Sequence, residues 1–296
     1  MAEEFDIVSC QENQDSLKKL FKLVESRRAV LFLGSGPSRN LGYPSWADLI
    51  KHLSTQILDE KTIELIENNI KKEELLMAAE ILRAKIPKES FFKILSETFE
   101  PKSIGFDNLH LKLVKLNFKA FVTTNYDTVL EQALKSIQKP TRNYGLTILD
   151  SSKSSLHLFV NQLVHDESLD ERYQLYLHGK YDNSDSIILS YGDYSKKYDG
   201  LEINNSELYT DLLKGKIDIN DFEDKTKLKI NGFRTLHFKI IYLLFLSQKL
   251  VFIGFGLQDP YLNKIIEEVK EDFNPFHPNH FALFSSEEGK NLNFYE

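Results

Sequence analysis

Apolar residues along the chain gather into short unbroken runs rather than alternating with polar ones. Ala29–Leu33, Ala120–Thr123, Gln174–Leu177, Ile187–Leu189, Leu250–Ile253 and His280–Phe284 each end in glycine, polar or turn residues. Runs of this kind predict strands buried on both faces, as in a parallel sheet. Between them the apolar positions take a helical period. Leu17, Leu20, Phe21 and Val24 share one face, as do Trp46, Leu49, Ile50, Leu53 and Ile57. Strands alternating with helices predict an α/β fold, a Rossmann-like doubly wound parallel sheet with helices on both faces.

Two stretches depart from this alternation. The region from about Asp59 to Phe99 is too long for a crossover and reads as several short helices, the last opened by Pro87. It is expected to be a helical insertion in a single domain spanning residues 1–296. The short tail after the last strand is compatible with that domain being the N-terminal part of a longer protein. The second stretch, Tyr194 to Asp224, is polar and rich in Asp, Asn and Lys, and reads as a mobile loop or cover.

Composition narrows the class. A chain of 296 residues with 42% hydrophobic and 27% charged residues belongs to a folded globular protein. Its apolar runs, such as Ile240–Leu246, fall short of a membrane span, and Glu3, Glu4 and Asp6 do not make a signal peptide. Cys10 is the only cysteine, which excludes an intramolecular disulfide and a cysteine-rich zinc module. A cytoplasmic location without bound zinc is expected. The net charge of −7 argues against direct nucleic-acid binding.

Four loops at predicted strand ends carry the candidate chemistry. Gly34-Ser35-Gly36-Pro37-Ser38 is followed by Gly42-Tyr43-Pro44-Ser45-Trp46. Such glycines let backbone amides approach a pyrophosphate, and they equally suit a tight strand–helix turn. It is not a dehydrogenase fingerprint, because the third glycine of G-x-G-x-x-G falls on Arg39. Thr123-Thr124-Asn125-Tyr126-Asp127 opens a helix; capping explains one of its polar residues more easily than all of them. Leu177-His178-Gly179 holds the one histidine of eight that sits at a strand end beside a glycine. Gly254-Phe255-Gly256-Leu257-Gln258-Asp259-Pro260 places Asp259 as an N-cap with Pro260 at the first helical position. Parallel topology brings all four loops to one edge of the sheet, where α/β proteins bind ligands.

In their order and residues these motifs resemble the sirtuin-like family, in its zinc-less bacterial branch associated with antiphage defence. Gly34-Ser35-Gly36 with Ser38, Gly42 and Pro44 is similar to the family's first glycine motif. Thr124-Asn125-Tyr126-Asp127 resembles the motif holding the catalytic asparagine and the aspartate that contacts nicotinamide. His178-Gly179 resembles the catalytic histidine motif, and Gly254-Phe255-Gly256 with Asp259 the late motif near the ribose and adenine. The chain departs from the protein-deacylating members, which carry a four-cysteine zinc module and usually continue the first motif as Pro-Asp-Phe-Arg. Here that step reads Pro44-Ser45-Trp46-Ala47, and Thr124 stands where Gln is usual.

The resemblance therefore implies hydrolysis of NAD⁺ to nicotinamide and ADP-ribose, as an NAD-depleting effector of antiviral, abortive-infection defence. NAD⁺ is then the substrate, and no further cofactor is expected. Asn125 and His178 are the expected catalytic residues. Gly34, Ser35, Gly36, Ser38, Asp127, Gly254, Gly256 and Asp259 are the expected contacts to NAD⁺. Trp46 reads either as a cover over nicotinamide or as a core residue. An NAD⁺-dependent deacylase and a non-catalytic NAD⁺ or ADP-ribose sensor are the alternative readings. Because an unrestrained hydrolase would kill its host, a homo-oligomer, a further regulatory domain or a partner chain, with a phage-derived trigger, is expected to control access to His178. The apolar residues Leu75, Leu76, Ile81, Leu82, Phe91 and Phe92 of the insertion are one candidate surface for that contact.

Overall fold

A computed structural model of the chain describes residues 11–138, 145–165, 171–199, 207–218, 221, 235–255, 259–273 and 279–283. Six parallel strands form one sheet in the order β3-β4-β2-β1-β5-β6: β1 Ala29–Leu33, β2 Ala120–Thr123, β3 Gly145–Leu149, β4 Glu171–Tyr176, β5 Lys249–Ile253 and β6 Phe281–Leu283. The central strand β1 reads Ala-Val-Leu-Phe-Leu and is buried throughout, because helices cover both faces. Val30 and Phe32 enter the larger core, while Ala29, Leu31 and Leu33 enter the smaller one on the opposite face. The smaller core is closed by the helices Gln11–Glu25, Asn108–Lys115 and Val129–Ser136 through Val24, Val114 and Leu134.

The expected helical insertion is three helices, Glu60–Lys71, Leu75–Lys85 and Lys88–Phe99, with Pro87 as the N-cap of the last. Leu75, Leu76, Ile81, Leu82 and Phe91 are buried in the same core cluster as Val30 and Phe32, and Phe92 packs against it. That apolar surface is consumed inside the chain, so it is not the contact surface that the sequence suggested.

One expected strand is corrected and one unexpected strand is found. Ile187–Leu189 is buried but forms no strand. It follows the turn at Gly179 (φ 90°) and lies back along β4's exit, where the Ile188 amide donates to the His178 carbonyl at 3.0 Å. In its place the sheet gains β3, a partly exposed edge strand of sequence Gly-Leu-Thr-Ile-Leu. Among the described residues no helix is long and apolar enough to cross a membrane.

Strand order places the topological switch beside β1. The chain builds β2, β3 and β4 on one side of it, then crosses to build β5 and β6 on the other. Ligands in doubly wound sheets bind outside the carboxyl ends of the strands at such a switch.

Candidate functional site

Register alone brings the four loops together. Leu33 pairs with Thr123 and with Ile253, and Thr123 pairs with Tyr176, so β1, β2, β4 and β5 end side by side. One residue beyond these ends are Gly34 and Gly254, and two residues beyond are Asn125 and His178. Asp259 follows as the N-cap of the helix Pro260–Phe273, its Oδ1 accepting from the Tyr261 and Leu262 amides at 3.0 Å each. Gly256 lies outside the described residues.

Glycine is required at the first and last loops because their backbones touch. A Cβ on Gly34 would stand 2.3 Å from the Gly254 carbonyl oxygen, and one on Gly36 would stand 2.8 Å from the Gly254 Cα. Gly254 itself is in the left-handed region at φ 62°, with Pro37 Cδ only 2.1 Å from where a Cβ would go. The Gly34 amide donates to Ile253 O and the Gly36 amide to Gly254 O, each at 3.0 Å. Both glycine amides expected to face a pyrophosphate are thus spent in clasping β1 to β5. Ser35 is half-buried at the turn into the short helix Gly36–Arg39, and Ser38 is buried within it.

Asn125 is locked by that clasp. Its Nδ2 donates to Gly34 O at 3.0 Å and lies 3.4 Å from Ser38 Oγ, while its own amide donates to Thr123 Oγ1 at 3.1 Å. Thr123 Oγ1 in turn donates to Leu33 O at 2.9 Å. Asp127 is buried beside it, and its Oδ1 accepts from the Val129 amide at 2.9 Å. Burial pushes the Asp127 carboxyl above its ordinary range, against the opposing pull of the Val129 amide, the Ser38 hydroxyl and His110. Tyr126, between them, donates to Ile188 O at 2.7 Å and pins the segment that follows His178.

His178 is enclosed by tyrosines. Its Nε2 is 2.9 Å from the Tyr198 hydroxyl and its Nδ1 is 3.3 Å from the Tyr194 hydroxyl. Tyr194 donates to Asp259 Oδ2 at 2.6 Å, and the same carboxylate oxygen is 3.8 Å from His178 Nε2. Burial drives the His178 imidazole down to about 3 and pushes the Asp259 carboxyl up to about 6. At neutral pH the pair is a neutral imidazole beside a carboxylate. Tyr194 and Tyr198 stack with ring centroids 5.3 Å apart, and Tyr261 packs against both. Trp46 stacks on Tyr194 at 6.5 Å, so it borders the site while serving as packing. The ring of His237 lies 4.8 Å from that of Tyr198, buried and with neither nitrogen hydrogen-bonded among the described residues.

The tyrosines and His237 were not among the expected site residues. Tyr194 and Tyr198 belong to a short helix and π-helical turn, Tyr191–Tyr194 and Ser195–Asp199. The signal was present as Tyr191, Tyr194 and Tyr198, an i, i+3, i+7 stripe in a stretch otherwise polar enough to read as loop. Of Tyr194–Asp224, the segment holding Tyr194 and Tyr198 covers His178, whereas Tyr209 bonds to Glu80; residues 200–206, 219–220 and 222–224 lie outside the described residues.

A family model for the SIR2-like domain matches residues 119–296. That span holds Asn125, Asp127, His178, Gly254 and Asp259. Three proteins named NAD(+) hydrolase ThsA are similar over most of the chain. The one from Enterococcus faecium is 22% identical over 258 residues, 86% of this chain and 42% of that protein. Those from Cytobacillus dafuensis and Bacillus cereus (strain MSX-D12) are 20% and 23% identical, covering 94% and 92% of this chain and 45% and 46% of theirs. The chain thus spans less than half the length of the curated relatives it matches.

Proposed function

The chain belongs to the SIR2-like domain family, and from that premise we propose that it hydrolyses NAD⁺ at the bond between nicotinamide and ribose. The observation that carries this reading is a neutral, buried imidazole, His178, two residues beyond the end of β4, with Asn125 two residues beyond the end of the adjacent β2. The names of the relatives, NAD(+) hydrolase, support it over most of the chain's length.

Nicotinamide leaves as a neutral base and needs no acid. The bonding pair of the C1′–N bond goes to the ring nitrogen, through a transition state resembling an oxocarbenium ion. Water then forms the new C1′–O bond, and one of its protons must be removed. His178 is placed to take that proton, its ring being unprotonated at neutral pH. A pKa of about 3 makes it a weak base in the closed site, so substrate and water must displace the enclosing Tyr198 hydroxyl and raise that pKa for the transfer. Asn125, neutral at every working pH and fixed by Gly34 and Ser38, is suited to orient the water or a ribose hydroxyl. Asp127 would take the carboxamide NH₂. Gly34, Gly36 and Gly254 would form the floor of the site, with Ser35 and Ser38 nearest the pyrophosphate and the late motif of Gly254, Gly256 and Asp259 toward the ribose and adenine. Tyr198, whose hydroxyl fills the hydrogen-bonding position at Nε2, must give way to a substrate hydroxyl or water.

We extend the proposal to antiviral defence by NAD⁺ depletion in the cytoplasm. Access to His178 is then controlled by a homo-oligomer, a further domain or a partner chain that answers a phage-derived trigger. The test is incubation of purified protein with NAD⁺ and chromatography of the products. Equimolar nicotinamide and ADP-ribose, lost in Asn125→Ala and His178→Ala, is the expected result. Binding without nicotinamide release would replace the reading with a sensor, and turnover only with an acyl-lysine peptide would replace it with a deacylase.

A further inference from the structure

We propose that Tyr194 is a positioning residue for this reaction, linking Asp259 to His178 and so deciding which ring nitrogen carries the proton. The proposal rests on the hydrolase reading above. A phenol has one hydrogen, and Tyr194 gives it to Asp259 Oδ2 at 2.6 Å. Its oxygen can then meet Nδ1, at 3.3 Å, only by accepting. The proton of the neutral ring is therefore held on Nδ1, and the Nε2 lone pair faces the position now occupied by the Tyr198 hydroxyl.

This arrangement works against a competing one. Asp259 Oδ2 lies 3.8 Å from Nε2, and a carboxylate at that distance draws a ring proton to the nearer nitrogen. A ring protonated on Nε2 has no lone pair there and cannot accept a proton from the reacting oxygen. Tyr194 removes the competition by engaging Oδ2 and offering an acceptor at Nδ1. The same division of labour, an orienting group fixing the tautomer of a histidine base, operates in serine-protease triads, where disturbing it costs about 10⁴-fold in kcat.

The test reads the tautomer directly. In the full chain labelled with ¹⁵N-histidine, the His178 signals are assigned by their absence in His178→Gln. The wild-type ring is expected to be protonated on Nδ1. Tyr194→Phe is expected to move the proton to Nε2 and to lower kcat roughly 10²-fold or more with KM changed less than about threefold. Tyr198→Phe, an equally buried member of the same stack, is expected to leave the proton on Nδ1. A purely packing role for Tyr194 would make the two variants alike, so a shared tautomer would overturn the proposal. A wild-type ring protonated on Nε2 would overturn it without any variant. If the wild-type chain releases no nicotinamide, the hydrolase reading fails, while the ring signals still decide the tautomer.

Discussion

Replacing Gly34 with alanine should damage both stability and activity, and the size of the effect follows from the clasp. The added Cβ would be 2.3 Å from Gly254 O, whereas ordinary contact begins at 3.4 Å, so the β1 and β5 loops must part by about 1 Å. That separation breaks the hydrogen bonds from Gly34 to Ile253 and from Gly36 to Gly254, both now 3.0 Å long. Overpacking of this kind costs about 1–3 kcal/mol, and two buried backbone pairs left imperfect add about 1–2 kcal/mol. The sum, about 2–5 kcal/mol, is a large share of the ~5–15 kcal/mol that holds a domain folded. For a chain of this length it corresponds to a fall of about 3–8 °C in Tm. Gly42→Ala is the internal comparison: its φ of 86° carries strain but nothing lies within 4 Å of a Cβ, so about 1 kcal/mol is expected. Urea unfolding of the two variants beside wild type measures the difference. Equal costs for Gly34 and Gly42 would refute the reasoning, because they would mean that backbone conformation, and not the contact between loops, is what selects glycine.

Asn125→Ala and His178→Ala should each slow nicotinamide release by roughly 10²–10⁴-fold while keeping the wild-type circular dichroism spectrum. Because burial holds the His178 pKa near 3, below its unfolded value, its stabilising contribution is complete above about pH 6.5 and is lost as pH falls toward 3. Relative to His178→Gln, wild type should lose about 1.4 kcal/mol per pH unit between pH 6 and 4; parallel stability curves would contradict the burial. Tyr126→Phe frees Ile188 O from its 2.7 Å hydrogen bond and should cost about 1–2 kcal/mol in denaturant titration, with no cost counting against the pinning role. If access to His178 is controlled by assembly, specific activity should change with dilution alongside mass measured by light scattering; activity and mass that stay constant together would exclude it.

The parts of the fold legible in the sequence are those where a single physical constraint acts. Ala29–Leu33 and Ala120–Thr123 are buried on both faces, so their apolar runs coincide with β1 and β2 to the residue. β3 was invisible because an edge strand is half exposed and its five residues mix glycine and threonine with leucine and isoleucine. Ile187–Leu189 misled for the opposite reason: a buried apolar triplet records burial without recording whether a neighbouring strand supplies hydrogen bonds. In the site, the positions of Gly34 and Gly36 were readable, but their reason was not. Only the three-dimensional approach of Gly254 shows that their amides clasp β5. The tyrosines around His178 escaped because charged and amide residues between them hid their helical spacing.

The clasp also sets a timetable. Gly34 and Gly254 are 220 residues apart (254 − 34), so the loop that holds Asn125 in place has no partner until the chain has been made through β5. At translation rates of roughly 5–20 residues per second that wait lasts roughly 10–45 s. Through it, the β1 loop lacks the two carbonyls that receive its amides, and Asn125 lacks a fixed Gly34 oxygen to bind. A nascent chain can complete β1 and β2 and still hold no ordered asparagine at their ends. Order at Asn125 is in this way conferred only once β5 has been made, by a contact between bare backbones rather than by any side chain proposed to do chemistry.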